Sequence, residues 1–168
     1  MPLGRIQADK NFLKRCLEQI EKRDNDRDPQ LQVMACNFFC IAVVGCIEQG
    51  VKELAKEYAK NRTARNLDRA IDRLCQSFQN PRPDKLFDLM DLFIEDSGAS
   101  LKKDWENDGS LIPETLKGAV GNRITIAHQV NRNSNVSAST ARAYFDMYEG
   151  LMRILETRFM QSNPQTPP

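Results

Sequence analysis

From Val33 to Ile47 the chain runs fifteen residues that are apolar but for one interruption, Asn37. No other stretch constrains the fold as strongly. A membrane-spanning helix needs about 20 such residues, so the run is read as a helix buried on most sides, the centre of a bundle. The segments around it keep helical period, and none alternates convincingly at period two. An all-α, antiparallel helical bundle is the expected fold class.

Phe12, Cys16 and Ile20 mark a first amphipathic helix, ending in the charged stretch Glu21 to Asp28. Pro29 suits a first helical turn and opens the central helix, which runs towards Tyr58. Asn61 to Phe78 reads as a third, with Leu67, Ile71, Leu74 and Phe78 on one side. Asn80-Pro-Arg-Pro83 breaks the chain. Leu86, Leu89, Met90 and Phe93 suggest a short helix, and Ser97 to Glu106 another. Asn107-Asp-Gly-Ser110 is a turn signal, after which Pro113 starts a penultimate helix. A polar segment, 129–135, leads to Ser137 and Ser139 as candidate caps. The last helix carries Tyr144, Phe145, Tyr148, Leu151, Met152, Leu155 and Phe159 at 3-4 spacing. Residues 1–160 are expected to form one domain, and the proline-rich 161–168 a disordered tail.

The 168 residues suffice for one domain with a real core. A net charge of +1 supplies no global field for polyanions, so any nucleic-acid surface must be local. Cys16, Cys36, Cys40, Cys46 and Cys75 are odd in number, form no C-x-x-C pair and have a single histidine for company. They read as reduced core residues of a cytosolic protein, with no metal site. The N-terminus shows no signal-peptide apolar region. Phosphate-loop, dinucleotide and H-E-x-x-H motifs are missing. The expectation is a cytoplasmic chain with no cofactor and no membrane association.

The chemistry-bearing motif lies in Ala119-Val-Gly-Asn-Arg-Ile-Thr-Ile-Ala-His-Gln129. His128 is the only histidine, and histidine is the side chain whose ordinary pKa lies near neutrality. Arg123, five residues earlier, is a permanent cation with a planar fork of donors that fits phosphate. On a helix the two are about 140° apart. Leu116, Val120, Ile124 and Ala127 fall within about 100° of Arg123, so the arginine projects from an apolar stripe and needs a partner. Gly118 and Gly121 interrupt the same helix and suggest close approach by another backbone. An ordinary reading stands beside this one: Arg123 snorkels, and His128 caps the helix C-terminus, where a cation is favoured.

This arrangement resembles the HEPN superfamily, and within it the prokaryotic HEPN-like nucleases. The resemblance rests on Arg123-Ile-Thr-Ile-Ala-His128 near the end of a penultimate helix, and on the polar loop leading into a long amphipathic final helix. It rests also on the apolar central helix with acidic Glu48 near the end of its run, and covers roughly residues 8 to 160. It implies a homodimer whose two motifs line one cleft and cut RNA without a metal. Attack by a ribose 2′-hydroxyl would leave a 2′,3′-cyclic phosphate, Arg123 stabilising the phosphorane and His128 moving the proton. The chain departs from many members in carrying Ile124 directly after the arginine, where they place a polar residue. Asn122 instead precedes it, about 100° away on the wheel. The implied role is a toxin or antiphage-defence effector, with an antitoxin or defence-system partner protein. The alternative is a non-catalytic HEPN-like module that binds nucleic acid, nucleotide or a partner protein; a structural helical adaptor is a third reading.

Auxiliary candidates complete the set. Glu48 could orient Arg123 or His128, or simply begin the polar end of its helix. Asn122 could assist the motif. Arg62, Arg65, Arg69 and Arg73 fall within about 80° on the third helix, as an RNA-tracking stripe or a solvated face partly neutralised by Asp68 and Asp72. Asn131, Arg132, Asn133 and Asn135 follow the histidine and could contact bases, or be polar because loops are. Trp105, Tyr144 and Tyr148 are expected in the core.

Overall fold

The computed structural model describes residues 2–23, 28–60, 62, 68–128 and 136–161. These form seven helices and no strand: α1 (Pro2–Arg23), α2 (Pro29–Lys60), α3 (Asp68–Ser77), α4 (Pro83–Phe93), α5 (Ser97–Asn107), α6 (Ile112–His128) and α7 (Ala138–Gln161). The fold is all-α, as the periodicity requires. The two long helices start as their sequences dictate. Asp28 Oδ1 accepts the backbone N–H groups of Gln30 and Leu31, with Pro29 in the first turn. Ser137 Oγ accepts the N–H of Thr140, which makes Ser137 rather than Ser139 the cap of α7.

α2 is the hub, packing against α1, α3, α4, α6 and α7. α1 runs antiparallel to it: Ile6 lies beside Gly50 at one end, and Ile20 O accepts the Gln32 side-chain amide at the other. α6 and α7 are antiparallel too, with Ile112 against Gly150 and Asn122 bonded to Tyr144. Tyr148 in α7 donates its hydroxyl to Ile6 O, closing the bundle around α2. The core gathers Leu13 and Leu17 with Phe39, Val43, Val44, Ile47, Leu151 and Leu155.

Three sequence expectations change. The buried stripe of α1 is Ile6, Leu13, Leu17 and Ile20, while Phe12 is exposed and Cys16 half-buried. Steps of four alone drift around a 3.6-residue helix, whereas mixed threes and fours hold one face. The first half of α2 is enclosed on one side only: Cys36, Phe39, Cys40, Val43 and Val44 are buried, but Leu31, Val33, Met34, Phe38 and Ile41 are exposed, because the packed helices reach only one side there. By length and composition α2 could cross a membrane, although a third of its apolar window lies inside the bundle. The described part of α3 is Asp68–Ser77; Arg62 sits in a turn beyond α2, and Asn61 and Leu67 lie outside the described residues. Phe78 is buried just past the end of α3 rather than within it. The segment 162–168 of the expected tail also lies outside the described residues.

α4 and α5 meet so closely at Gly98 that a Cβ there would lie 2.2 Å from the Phe87 carbonyl oxygen. Asp91 Oδ1 accepts the Gly98 N–H at 2.6 Å. Arg158 of α7 fastens α5 to the bundle by donating to Ser97 O and pairing with Asp104. Trp105, Tyr144 and Tyr148 are buried, as expected.

Candidate active site

α6 turns Leu116, Ala119 and Val120 into the core. Two polar contacts set its position. The Cys40 thiol of α2 donates to Ala119 O at 3.5 Å. Asn122 Nδ2 donates to the Tyr144 hydroxyl at 2.7 Å. Asn122 therefore faces α7, as its place on the helix wheel suggests, and fixes the motif helix rather than joining the arginine. Burial raises the Tyr144 hydroxyl pKa, which the Asn122 hydrogen bond partly offsets.

Arg123, about 100° further round α6, reaches towards α2. Its Nη1 donates to Glu48 Oε2 at 3.0 Å, while Glu48 Oε1 accepts from Lys52 Nζ at 2.9 Å. Burial favours the neutral acid at Glu48, but hydrogen bonds and charge from Lys52 and Arg123 outweigh it and hold the carboxyl below its ordinary value. The carboxylate carries one negative charge and its two partners two positive ones, so the cluster is net cationic. Side-chain exposure is 10% for Glu48, 12% for Lys52 and 30% for Arg123. The arginine is thus anchored at one end of its fork and still open to solvent. Burial pushes the nearby Cys40 thiol up to about 11, against the pull of Arg123.

His128 is the last residue of α6 and is exposed. It lies roughly 7.5 Å further along the helix axis than Arg123 and about 140° around it. It makes no hydrogen bond or ion pair with the described residues. One chain therefore supplies an oriented guanidinium and an exposed imidazole at one end of α6, without bringing them into contact. Among the described residues of this one chain no backbone approaches either glycine of α6. A Cβ at Gly121 would enter open space, and at Gly118 the nearest atom would be the Tyr144 hydroxyl at 3.6 Å. Both residues lie on the exposed side of α6.

The structure describes the arginine stripe only in part. Arg62 stacks over the Tyr58 ring, 4.1 Å from its centroid, and donates to the Tyr58 hydroxyl. Arg69 and Arg73 are exposed on α3, which Lys56 of α2 grips through Asp72 at 2.9 Å. Arg65, Asn131, Arg132, Asn133 and Asn135 lie outside the described residues. Lys52 was not singled out from the sequence, although its i,i+4 spacing from Glu48 is a legible pairing signal. Among the described residues no three His, Cys, Asp or Glu side chains group as metal ligands would. A cavity of about 760 Å³, lined by Arg82, Phe87, Lys102, Trp105, Pro113 and Lys117, lies at the other end of α6 and contains none of the motif residues. Comparison with family models, with curated proteins and with solved structures gives no match.

Proposed function

We propose that this chain is a metal-independent endoribonuclease of HEPN type, acting in the cytoplasm as a toxin or antiphage-defence effector. The observation that carries the reading is the Glu48–Arg123 pair. A nearly buried carboxylate holds a partly exposed guanidinium at the edge of the bundle, with the only histidine exposed about one and a half turns further on. Restraining an arginine in this way lowers the reorganisation needed when charge develops on a bound phosphate.

In the proposed reaction an imidazole of His128 takes the proton of a ribose 2′-hydroxyl. The oxygen attacks the adjacent phosphorus, and Arg123 neutralises the phosphorane oxygens. The P–O5′ bond breaks, and a protonated imidazole delivers a proton to the leaving 5′-oxygen. The 3′ product ends in a 2′,3′-cyclic phosphate. Glu48 positions Arg123, and Asn122 positions α6 through Tyr144. Arg69 and Arg73 would contact RNA phosphates, and a homodimer would bring two histidines to one cleft. An antitoxin or other defence-system protein would restrain the activity.

The test is digestion of RNA by the purified protein in a strong chelator. Wild type should cut, and Arg123→Ala and His128→Asn should each lose about 10²–10⁴-fold, with the double variant little worse than either single one. The separation of Arg123 from His128 within one chain, together with Ile124, favours a second reading, the non-catalytic module. Under that reading wild type and His128→Asn bind RNA, nucleotide or a protein partner equally and neither cuts.

A further inference from the structure

The first half of α2 presents an apolar surface that the bundle leaves open. Leu31, Met34, Phe38 and Ile41 follow one another at steps of three, four and three, which keeps them on one face. Their exposures are 43%, 67%, 57% and 39%. From Pro29 to Ile47 the chain has no charged residue. Exposed Phe12, on the same flank of α1 as Cys16 and Gln19, widens the patch. At about 200 Å² for a large side chain, these five leave on the order of 500 Å² of apolar surface uncovered, near the upper end for a monomer.

We propose that this stripe is the seam of a homodimer in which α2 packs against α2 of a second copy. The proposal locates the dimer that the nuclease reading expects, but stands on surface chemistry alone. Three observations favour a second copy as the occupant. The first is area: two such patches together bury on the order of 1,000 Å², the lower bound for a specific interface. The second is charge: a two-fold contact sets a surface against itself, so any charged residue near the axis meets its like, and this face has none. The third is shape: a groove of about 300 Å³ beside the stripe, lined by Cys16, Gln19, Ile20, Ala35 and Phe38, offers the hole that a knob such as the second copy's Met34 would fill. A membrane surface fits less well, because interfacial helices carry Lys or Arg on their polar face, and α2 has neither before Lys52. Ile41 and Glu48 are one heptad apart on α2, so the stripe ends about 10 Å short of the buried carboxylate that holds Arg123.

The experiment is sedimentation equilibrium of the full chain without RNA, with circular dichroism to verify folding. Wild type should be dimeric at micromolar concentration. Phe38→Leu should stay dimeric. Met34→Glu and Met34→Lys, both at a solvent-facing position, should each weaken self-association by at least roughly 100-fold. An equimolar mixture of the two should restore a dimer, because opposite charges now meet across the seam. A monomeric wild type, a dimer indifferent to Met34→Glu, or a monomer that co-sediments with phospholipid vesicles would each overturn the proposal. Cleavage by the His128→Asn dimer is read separately, so failure of the seam and failure of the nuclease reading give different results.

Discussion

Replacing Glu48 by alanine should damage the fold more than replacing Arg123, although the two residues form one ion pair. Removing one member of a buried pair costs about 3–5 kcal/mol when the other is left dry. Loss of Glu48 strands two cations, Lys52 at 12% exposure and Arg123 at 30%. Both recover some hydration, so a cost of about 2–3 kcal/mol is expected. For a chain of this size that is a fall in Tm of roughly 5–10 °C. Arg123→Ala leaves Glu48 paired with Lys52, and a single hydrogen bond is worth about 1 kcal/mol, or roughly 2–4 °C. Acid distinguishes the charge effect from packing. The Glu48 carboxyl is held below its ordinary value of 4.5 in the folded state. Its contribution is therefore complete above that value and lost as pH falls through the folded pKa. Melts followed by circular dichroism should show wild type well above Glu48→Gln at pH 7, with the gap closing below about pH 4.5. Equal losses for Glu48→Ala and Arg123→Ala, or a gap indifferent to pH, would refute this account of the cluster.

Other substitutions test the packing. Gly121→Ala should raise stability by about 0.5–1 kcal/mol, since helix propensity improves and the added Cβ meets nothing; a calorimetric Tm below wild type would contradict this. Gly98→Ala should lower stability by about 1–3 kcal/mol, because its Cβ would collide with the Phe87 backbone; an unchanged denaturant midpoint would contradict it. Cys36, Cys40 and Cys75 are buried, and Cys40 is pushed up to about 11. A thiol reagent at pH 7 should reach these three only on unfolding, and rapid labelling of Cys40 in the native protein would show the α2–α6 contact is wrong.

Much of the architecture was legible because it depends on local chemistry. Asp28-Pro29, Ser137, Asn107 to Ser110 and Pro83 mark helix boundaries by hydrogen bonding and ring constraint, which act within a few residues. The buried faces of α4 and α7 follow from 3-4 spacing in the same way. The face that α2 leaves open was not legible, because an apolar run states which residues avoid water, not which neighbours arrive to cover them. The stripe of α1 differs at two of its three expected positions for a related reason: Phe12 and Leu13, like Cys16 and Leu17, fit a helix equally well, and only packing against α2 decides between them. At the site, the need of Arg123 for a partner could be read from its apolar surroundings, and Glu48 was a reasonable candidate. That Lys52 shares the same carboxylate depends on side-chain reach. Asn122 bonding to Tyr144 links residues 22 apart, a distance at which sequence spacing carries no information.

The central claim concerns the bond that breaks, and the most direct measurement is the mass of the 3′ ends left on a short synthetic RNA incubated with the protein in chelator. The account predicts 2′,3′-cyclic phosphate ends opposite free 5′-hydroxyls. It also predicts that a 2′-deoxyribose at the scissile position blocks the cut, and that His128→Asn leaves the RNA intact. Fragments carrying 5′-phosphates, cleavage that persists at the deoxyribose position, or RNA left whole by the wild-type chain would contradict it.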